Sequence, residues 1–242
     1  MARRPRIVIP ARFSASASAL RYRADVAATK LVHAVYEAGG EPLVLHPVVP
    51  PGIGSAALDE LVRDRIGIAD GVLLPGGGDL AAHWAGQRPH PTAYDVDLDQ
   101  DAFDLALARV ALSDAIPLLA VCRGLQAVNI VRGGTLVQDM TERLGADHRH
   151  LVHDVKIEVG SPLDHIVAAE QLSVSCYHHQ GIERLGTGLH AVAYAADGIA
   201  EAAVIQGHPG WFLGVQWHPE DTADTDPDQV AIFRALITAA RR

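Results

Sequence analysis

The chain has 242 residues, 49% of them hydrophobic and 20% charged. That balance suits one globular domain or at most two small ones, and it excludes disorder, collagen and coiled coil. With 20 Lys and Arg against 29 Asp and Glu, the formal charge is −9, a poor match to nucleic acid or an anionic membrane, and two cysteines, Cys122 and Cys176, cannot build a disulfide scaffold. Both can be free thiols, as suits a reducing cytoplasm.

The opening segment MARRPRIVIP is basic and then apolar for only three residues before Pro10. A signal peptide needs roughly 7–15 apolar residues and a spanning helix roughly 20. A cytoplasmic protein with no membrane partner is the expectation. In chain order, Arg6–Pro10 reads as a buried strand. Asp25–Ala38 reads as a helix with Leu31, Val32, Val35 and Tyr36 inward, stopped by Gly39–Gly40. Pro42–Leu45 is the next strand. Ser55 is the expected N-cap of a helix facing Leu58, Leu61, Val62 and Ile66 inward. Gly71–Leu74 is a strand entering the turn Pro75-Gly76-Gly77-Gly78-Asp79. Phe103, Leu107 and Val110 mark a helix, Leu118–Val121 a strand, and another helix opens just after Cys122. Strands alternating with helices predict a parallel sheet covered on both faces. After about Thr135, strand follows strand: His153–Val159, Leu172–Tyr177, His190–Ala196, Ala200–Gln206 and Phe212–Gln216. These are expected to add antiparallel strands to the same core. A last helix is capped by Asp226, carries Pro227 in its first turn and faces Val230, Phe233 and Ile237 inward. No repeat or long linker divides residues 1–242, so one domain is expected. Ser14–Ala19 and Trp84–Thr92 read as exposed loops.

Pro117–Met140 carries the chemistry. An apolar strand runs straight into Cys122, Gly124 follows two residues later, and Leu125, Val128 and Val131 begin a helix. A strand–nucleophile–helix turn lifts the side chain to the carboxyl end of the sheet and aims helix N-terminal amides at a reacting carbonyl. The helix N-terminus also favours thiolate. A lone intracellular cysteine is more often a buried structural one, but here it has partners. His218 follows the strand Phe212–Gln216 and Glu220 lies two residues on. If the two strands are parallel neighbours, thiol, imidazole and carboxylate meet at one edge, with Glu220 fixing the tautomer of His218 that accepts the thiol proton.

These segments together resemble the class I glutamine-amidotransferase-like superfamily, and within it the γ-glutamyl-γ-aminobutyrate hydrolase (peptidase C26) family. Cys122 to Asp139 matches C-R-G-x-Q-x-x-N-V-x-x-G-G-T-L-x-Q-D with Ile130 for Val, and Val215 to Glu220 matches V-Q-W-H-P-E. His178-His179-Gln180, the Asp197-Gly198-Ile199-Ala200-Glu201-Ala202 element and Ala38-Gly39-Gly40-Glu41-Pro42 match in order. The resemblance implies a flavodoxin-like α/β three-layer sandwich, a parallel-centred sheet with additional antiparallel strands. It assigns catalysis to Cys122, His218 and Glu220, and an oxyanion hole to the Gly77 and Arg123 amides. Substrate binding would fall to Gly76, Gln126, His178, His179 and Gln180. The phosphate-loop reading of the glycine turn is weak, because no Lys-Ser/Thr follows it.

The implied activity is hydrolysis of a small-molecule γ-glutamyl amide through a thioester, without cofactor or metal. The rival is a glutaminase supplying ammonia to a separate synthetase, which the same residues would serve. A binding protein without activity is the third reading, and the complete Cys–His–Glu set argues against it. A homodimer is compatible with the resemblance. The family's usual V-N-S is Val174-Ser175-Cys176 here, and Ala82, Ala85 and Gln100 also depart from its pattern. These changes predict altered walls around the leaving amine. His148, His150 and His153 cluster, but no cysteine or Glu completes a known zinc ligand spacing, so no metal is expected. Cys176 is expected to be a core or pocket-lining thiol.

Overall fold

The computed structural model describes residues 3–15 and 20–241; the Ser16–Ala19 part of the expected serine–alanine loop lies outside them. The first half comprises β1 (Arg6–Pro10), β2 (Arg12–Ser14), β3 (Ala24–Val26), α1 (Thr29–Glu37), β4 (Glu41–Leu45), α2 (Ser55–Arg65), β5 (Gly71–Leu74), α3 (Leu98–Ser113) and β6 (Leu118–Val121). Then come α4 (Arg123–Val131), β7 (Thr135–Val137), α5 (Met140–Leu144), β8 (His148–Ile157), α6 (Pro162–Val167) and β9 (Gln171–His178). β10 (Gly181–Arg184), β11 (Leu189–Tyr194), β12 (Ala200–Ile205), β13 (Phe212–Val215) and α7 (Pro227–Ala239) complete the chain.

Nine strands form one sheet in the order β4-β1-β5-β6-β13-β12-β11-β8-β9. The first five are parallel neighbours, and the last four add antiparallel. Alternation along each parallel strand supplies two faces. Ile7, Leu119 and Val121 pack with Leu31 and Val35 of α1 and Phe233 and Leu236 of α7. Val8, Leu118 and Ala120 pack with Leu58 and Val62 of α2, Phe103 and Leu107 of α3 and Leu125 of α4. The fold is therefore the expected α/β sandwich with a parallel centre.

Local signals held where chemistry is local. The Asp226 side chain accepts from the Asp228 amide, with Pro227 in the first turn of α7, and Asp97 caps α3 in the same way. Four details differ from expectation. Asp25 belongs to β3, paired with Phe13, so α1 starts only at Thr29. Tyr36 is exposed, stacked under the Arg4 guanidinium, and Ala34 takes the buried position. Ser55 is already inside α2, Gly54 preceding it without a side-chain cap. The strand expected from His153 begins at His148, because an irregularity between Arg149 and Leu151, with the unpaired His150 at φ 51°, lets His148, Arg149, Leu151 and Val152 also pair with β9.

Candidate active site

β6 ends at Val121 and α4 begins at Arg123, so Cys122 alone makes the turn. Its φ is 51° and its ψ −109°, outside the left-handed helical well, a conformation that costs a non-glycine residue about 1–3 kcal/mol. The turn is held from both sides. The Cys122 amide donates to the Val215 carbonyl at 2.7 Å, and α4 packs so close to β5 that a Cβ at Gly124 would stand 2.4 Å from the Leu74 carbonyl oxygen. Gly124 is thus required by close approach.

The parallel register of β6 and β13, Val121 opposite Val215, sets Cys122 beside the residues just past β13. The His218 ring stands beside Cys122, its Nε2 and the Cys122 Cβ lying 3.6 and 3.7 Å from where a Cβ on Gly76 would stand, and its Nδ1 donates to Glu220 Oε1 at 2.8 Å. Burial pushes the His218 pKa down, but the Cys122 sulfur and the Glu220 carboxylate outweigh it and hold the pKa well above the ordinary histidine value. A Cβ on Gly76 would meet His218 Cε1 at 2.8 Å, so the glycine turn abuts the imidazole. The His218 amide is anchored to the Ser175 carbonyl of β9 at 2.8 Å.

Among the described residues, neither the Gly77 amide nor the Arg123 amide donates to a protein acceptor. Both therefore remain available to an anion. Two arginines, the buried Arg123 and the half-buried Arg12, fix this corner, and the sequence did not reveal Arg12. Arg12 donates to the Gly76 carbonyl at 2.6 Å and the Pro75 carbonyl at 2.7 Å, and pairs with Asp104 at 2.8 Å. The Arg123 side chain pairs with Asp104 and, at 2.6 Å, with Asp101. Burial lowers the Arg12 pKa to about 10, which still leaves the guanidinium charged. Arg12 lies 64 residues from Gly76 in sequence, and no motif joins them.

The remaining expected site residues are buried with protein partners. Gln126 donates to the Gln180 carbonyl at 3.2 Å and to Gln216 Oε1 at 3.3 Å, and Gln216 Nε2 lies 3.5 Å from Cys122 Sγ. His179 donates to Asp79 at 2.8 Å, tying its segment to the end of the glycine turn. His178 Nδ1 donates to the Gln180 carbonyl at 2.9 Å. Gln180 Oε1 is buried without a hydrogen-bond partner. Two clefts flank the nucleophile turn. One, of about 280 Å³, is lined by Arg12, Arg23, Gly77, Asp97, Gln100 and Arg123. The other, of about 350 Å³, is lined by His150, Ser175, Cys176, Tyr177, His218 and Asp221. Of the departures from the family pattern, Gln100 and Ser175–Cys176 border these clefts. Ala85 instead packs on the cluster of Leu80, Leu105 and Ala127.

A second group of side chains was not legible as a group. His148 and His153 of β8, Cys176 of β9 and Glu201 of β12 place one donor atom each within 4.8 Å of all the others. Burial and the negative charge of Glu201 raise the Cys176 thiol pKa strongly, which makes it a poor nucleophile without a metal. Burial opposes ionisation of Glu201, yet His178 and His148 hold its pKa down at about 2.

The peptidase C26 family pattern matches residues 5–220. Protein NtpR of Enterococcus hirae is 33% identical over 215 residues, 85% of this chain and 86% of the relative. A γ-glutamyl-γ-aminobutyrate hydrolase of Escherichia coli O157:H7 is 30% identical over 227 residues, 88% of this chain and 85% of the relative. The glutaminase domain of Trypanosoma brucei CTPS, solved with bound acivicin, superposes with a TM-score of 0.66 at 18% identity, covering 98% of this chain and 94% of that one. The chain belongs to the peptidase C26 family, within the class I glutamine amidotransferase-like superfamily. It is a glutamine amidotransferase-like hydrolase. Among the described residues no helix is long and apolar enough to cross a membrane.

Proposed function

We propose that the protein hydrolyses γ-glutamyl amides. The observation that carries this reading is the strained Cys122 at a helix N-terminus, beside a His218 that Glu220 holds by Nδ1. His218 takes the thiol proton and Cys122 Sγ attacks the γ-carbonyl carbon. The oxyanion rests on the Gly77 and Arg123 amides. His218 returns the proton to the leaving nitrogen as the C–N bond breaks, giving a γ-glutamyl thioester and free amine. Water, deprotonated by the same imidazole, attacks the thioester and releases glutamate and the thiol. The glutamyl half lies along Gly76–Gly78, Gln126 and the His178–Gln180 segment, where Gln180 Oε1 offers an acceptor to the α-ammonium group. The amine lies on the His218 side, because its nitrogen must receive that proton.

The rival reading, a glutaminase serving a synthetase, draws support from the likeness to the CTPS glutaminase domain. The discriminating experiment is kcat/KM on the isolated chain for glutamine and a series of γ-glutamyl amines. Turnover of γ-glutamyl amines without a partner is expected. Turnover of glutamine alone, and only when a synthetase is added, would establish the rival.

A further inference from the structure

We propose that His148, His153, Cys176 and Glu201 form a binding site for one Zn²⁺ ion, distinct from the nucleophile turn. The donor atoms already stand near tetrahedral spacing. Zinc–ligand bonds of about 2.0–2.3 Å place neighbouring ligand atoms roughly 3.3–3.8 Å apart. Here His148 Nδ1 lies 2.9 Å from Glu201 Oε1, and His153 Nε2 lies 3.1 Å from Cys176 Sγ. His153 Nε2 stands 3.9 Å from Glu201 Oε1, Cys176 Sγ stands 4.0 Å from Glu201 Oε2, and none of the four atoms is more than 4.8 Å from another. Shifts of up to about 1 Å would bring these distances into that range.

The outer contacts of the imidazoles point the same way. Metal-bound histidine generally donates its far N–H to a carboxylate or a carbonyl, which fixes the inner nitrogen as the ligand. His148 Nε2 donates to Asp197 Oδ2 at 2.9 Å, and Nδ1, hydrogen-bonded to Glu201 Oε1 at 2.9 Å, is the nitrogen that would turn to the metal on losing its proton. His178, beside the four, repeats the arrangement. Its Nδ1 donates to a backbone carbonyl at 2.9 Å, which turns the buried Nε2 toward Glu201 Oε1, 3.5 Å away. His178 is 4% exposed and Glu201 0% exposed, so the Glu201 carboxylate is shielded from bulk water and needs a positive partner, a role that Zn²⁺ can fill.

Charge and donor type select the ion. A thiolate and a carboxylate with two neutral imidazoles balance a divalent cation, and a mixed S, N and O set suits zinc better than magnesium or calcium. Binding displaces to solvent the Cys176 thiol proton and the proton that His148 Nδ1 shares with Glu201, with no change in oxidation state. The irregularity at His150 is the enabling feature. It adds one residue between His148 and His153 and brings both into register with the buried face of β9, where Cys176 and His178 lie.

The test uses the full chain without a histidine tag, in a Cys122→Ala background so that the nucleophile cannot bind metal. After removal of metal and incubation with excess ZnCl₂, about one zinc per chain is expected to survive gel filtration, and Co²⁺ should give a thiolate-to-metal charge-transfer band. Cys176→Ser, with its fold checked by circular dichroism, should lose that band. Asp197→Asn should weaken zinc affinity about 10–100-fold while leaving the band in place. Retention of less than about a tenth of a zinc per chain, or a cobalt band that persists in Cys176→Ser, overturns the proposal.

Discussion

The strain at Cys122 can be weighed by comparing two inactive variants. Cys122→Ala keeps a Cβ at φ 51° and ψ −109°, whereas Cys122→Gly removes it. At an ordinary position glycine is the less stable by roughly 0.5–1 kcal/mol, because its unfolded chain is freer. Cys122 is buried, so the lost methyl group costs about 0.8 kcal/mol more. Against these stands relief of strain near the upper part of the ~1–3 kcal/mol range, because ψ lies outside the left-handed well. The net expectation is that Cys122→Gly is more stable than Cys122→Ala by about 0.5–1 kcal/mol, which raises Tm by roughly 1–4 °C in a chain of this size. Urea denaturation and thermal melts of the two variants measure the difference. If alanine proves the more stable by about 1 kcal/mol, the turn is not strained and its geometry cannot be ascribed to function.

Three further outcomes follow from the same site. His218→Ala should reduce kcat/KM almost as far as Cys122→Ala, by about three orders of magnitude or more, and Glu220→Gln by one to two orders less, since the carboxylate only orients the base; steady-state kinetics decide. Because the folded pKa of His218 is raised, its contribution to stability is complete below about pH 6.5 and fades as pH rises through the folded value; the stability gap between wild type and His218→Ala should therefore shrink above neutrality, as denaturation across pH would show. Asp104→Asn removes a counter-charge from the buried Arg123, which keeps Asp101, and from the half-buried Arg12, and should destabilise the fold by about 3–5 kcal/mol in urea titrations.

Cys122 was legible because everything that makes its turn lies within a few residues: an apolar strand, a small neighbour at Gly124 and a helical stripe. His218 and Glu220 needed only one added assumption, that β13 lies parallel to β6, and it does. Arg12 was not legible, because its partners Gly76 and Asp104 are brought to it by sheet order alone. The same holds for Glu201, which reaches His148 across the antiparallel half of the sheet. Period-two alternation would also have put His148 and His153 on opposite faces, and a single residue at φ 51° reverses that. Sequence patterns report periodicity well and interruptions of it poorly.

The position of the leaving amine supplies the last prediction. His218 gives its proton to the departing nitrogen, so the amine must extend from the imidazole into the cleft bordered by His150, Ser175, Tyr177 and Asp221. Ser175 Oγ donates to Asp221 Oδ2 at 2.7 Å, which fixes one carboxylate oxygen and leaves the group as an acceptor on the wall. Tyr177 is exposed and can cover a longer amine from the side. Ammonia, the leaving group from glutamine, fills almost none of this space, whereas a substituted amine touches it. Asp221→Asn should therefore lower kcat/KM for γ-glutamyl amides of amino-bearing amines by about tenfold or more, and lower it much less for glutamine. Kinetics of both substrates with both proteins provide the comparison. Equal losses on the two would mean that Asp221 acts through the backbone of His218, which Ser175 holds, and that the amine leaves by another route.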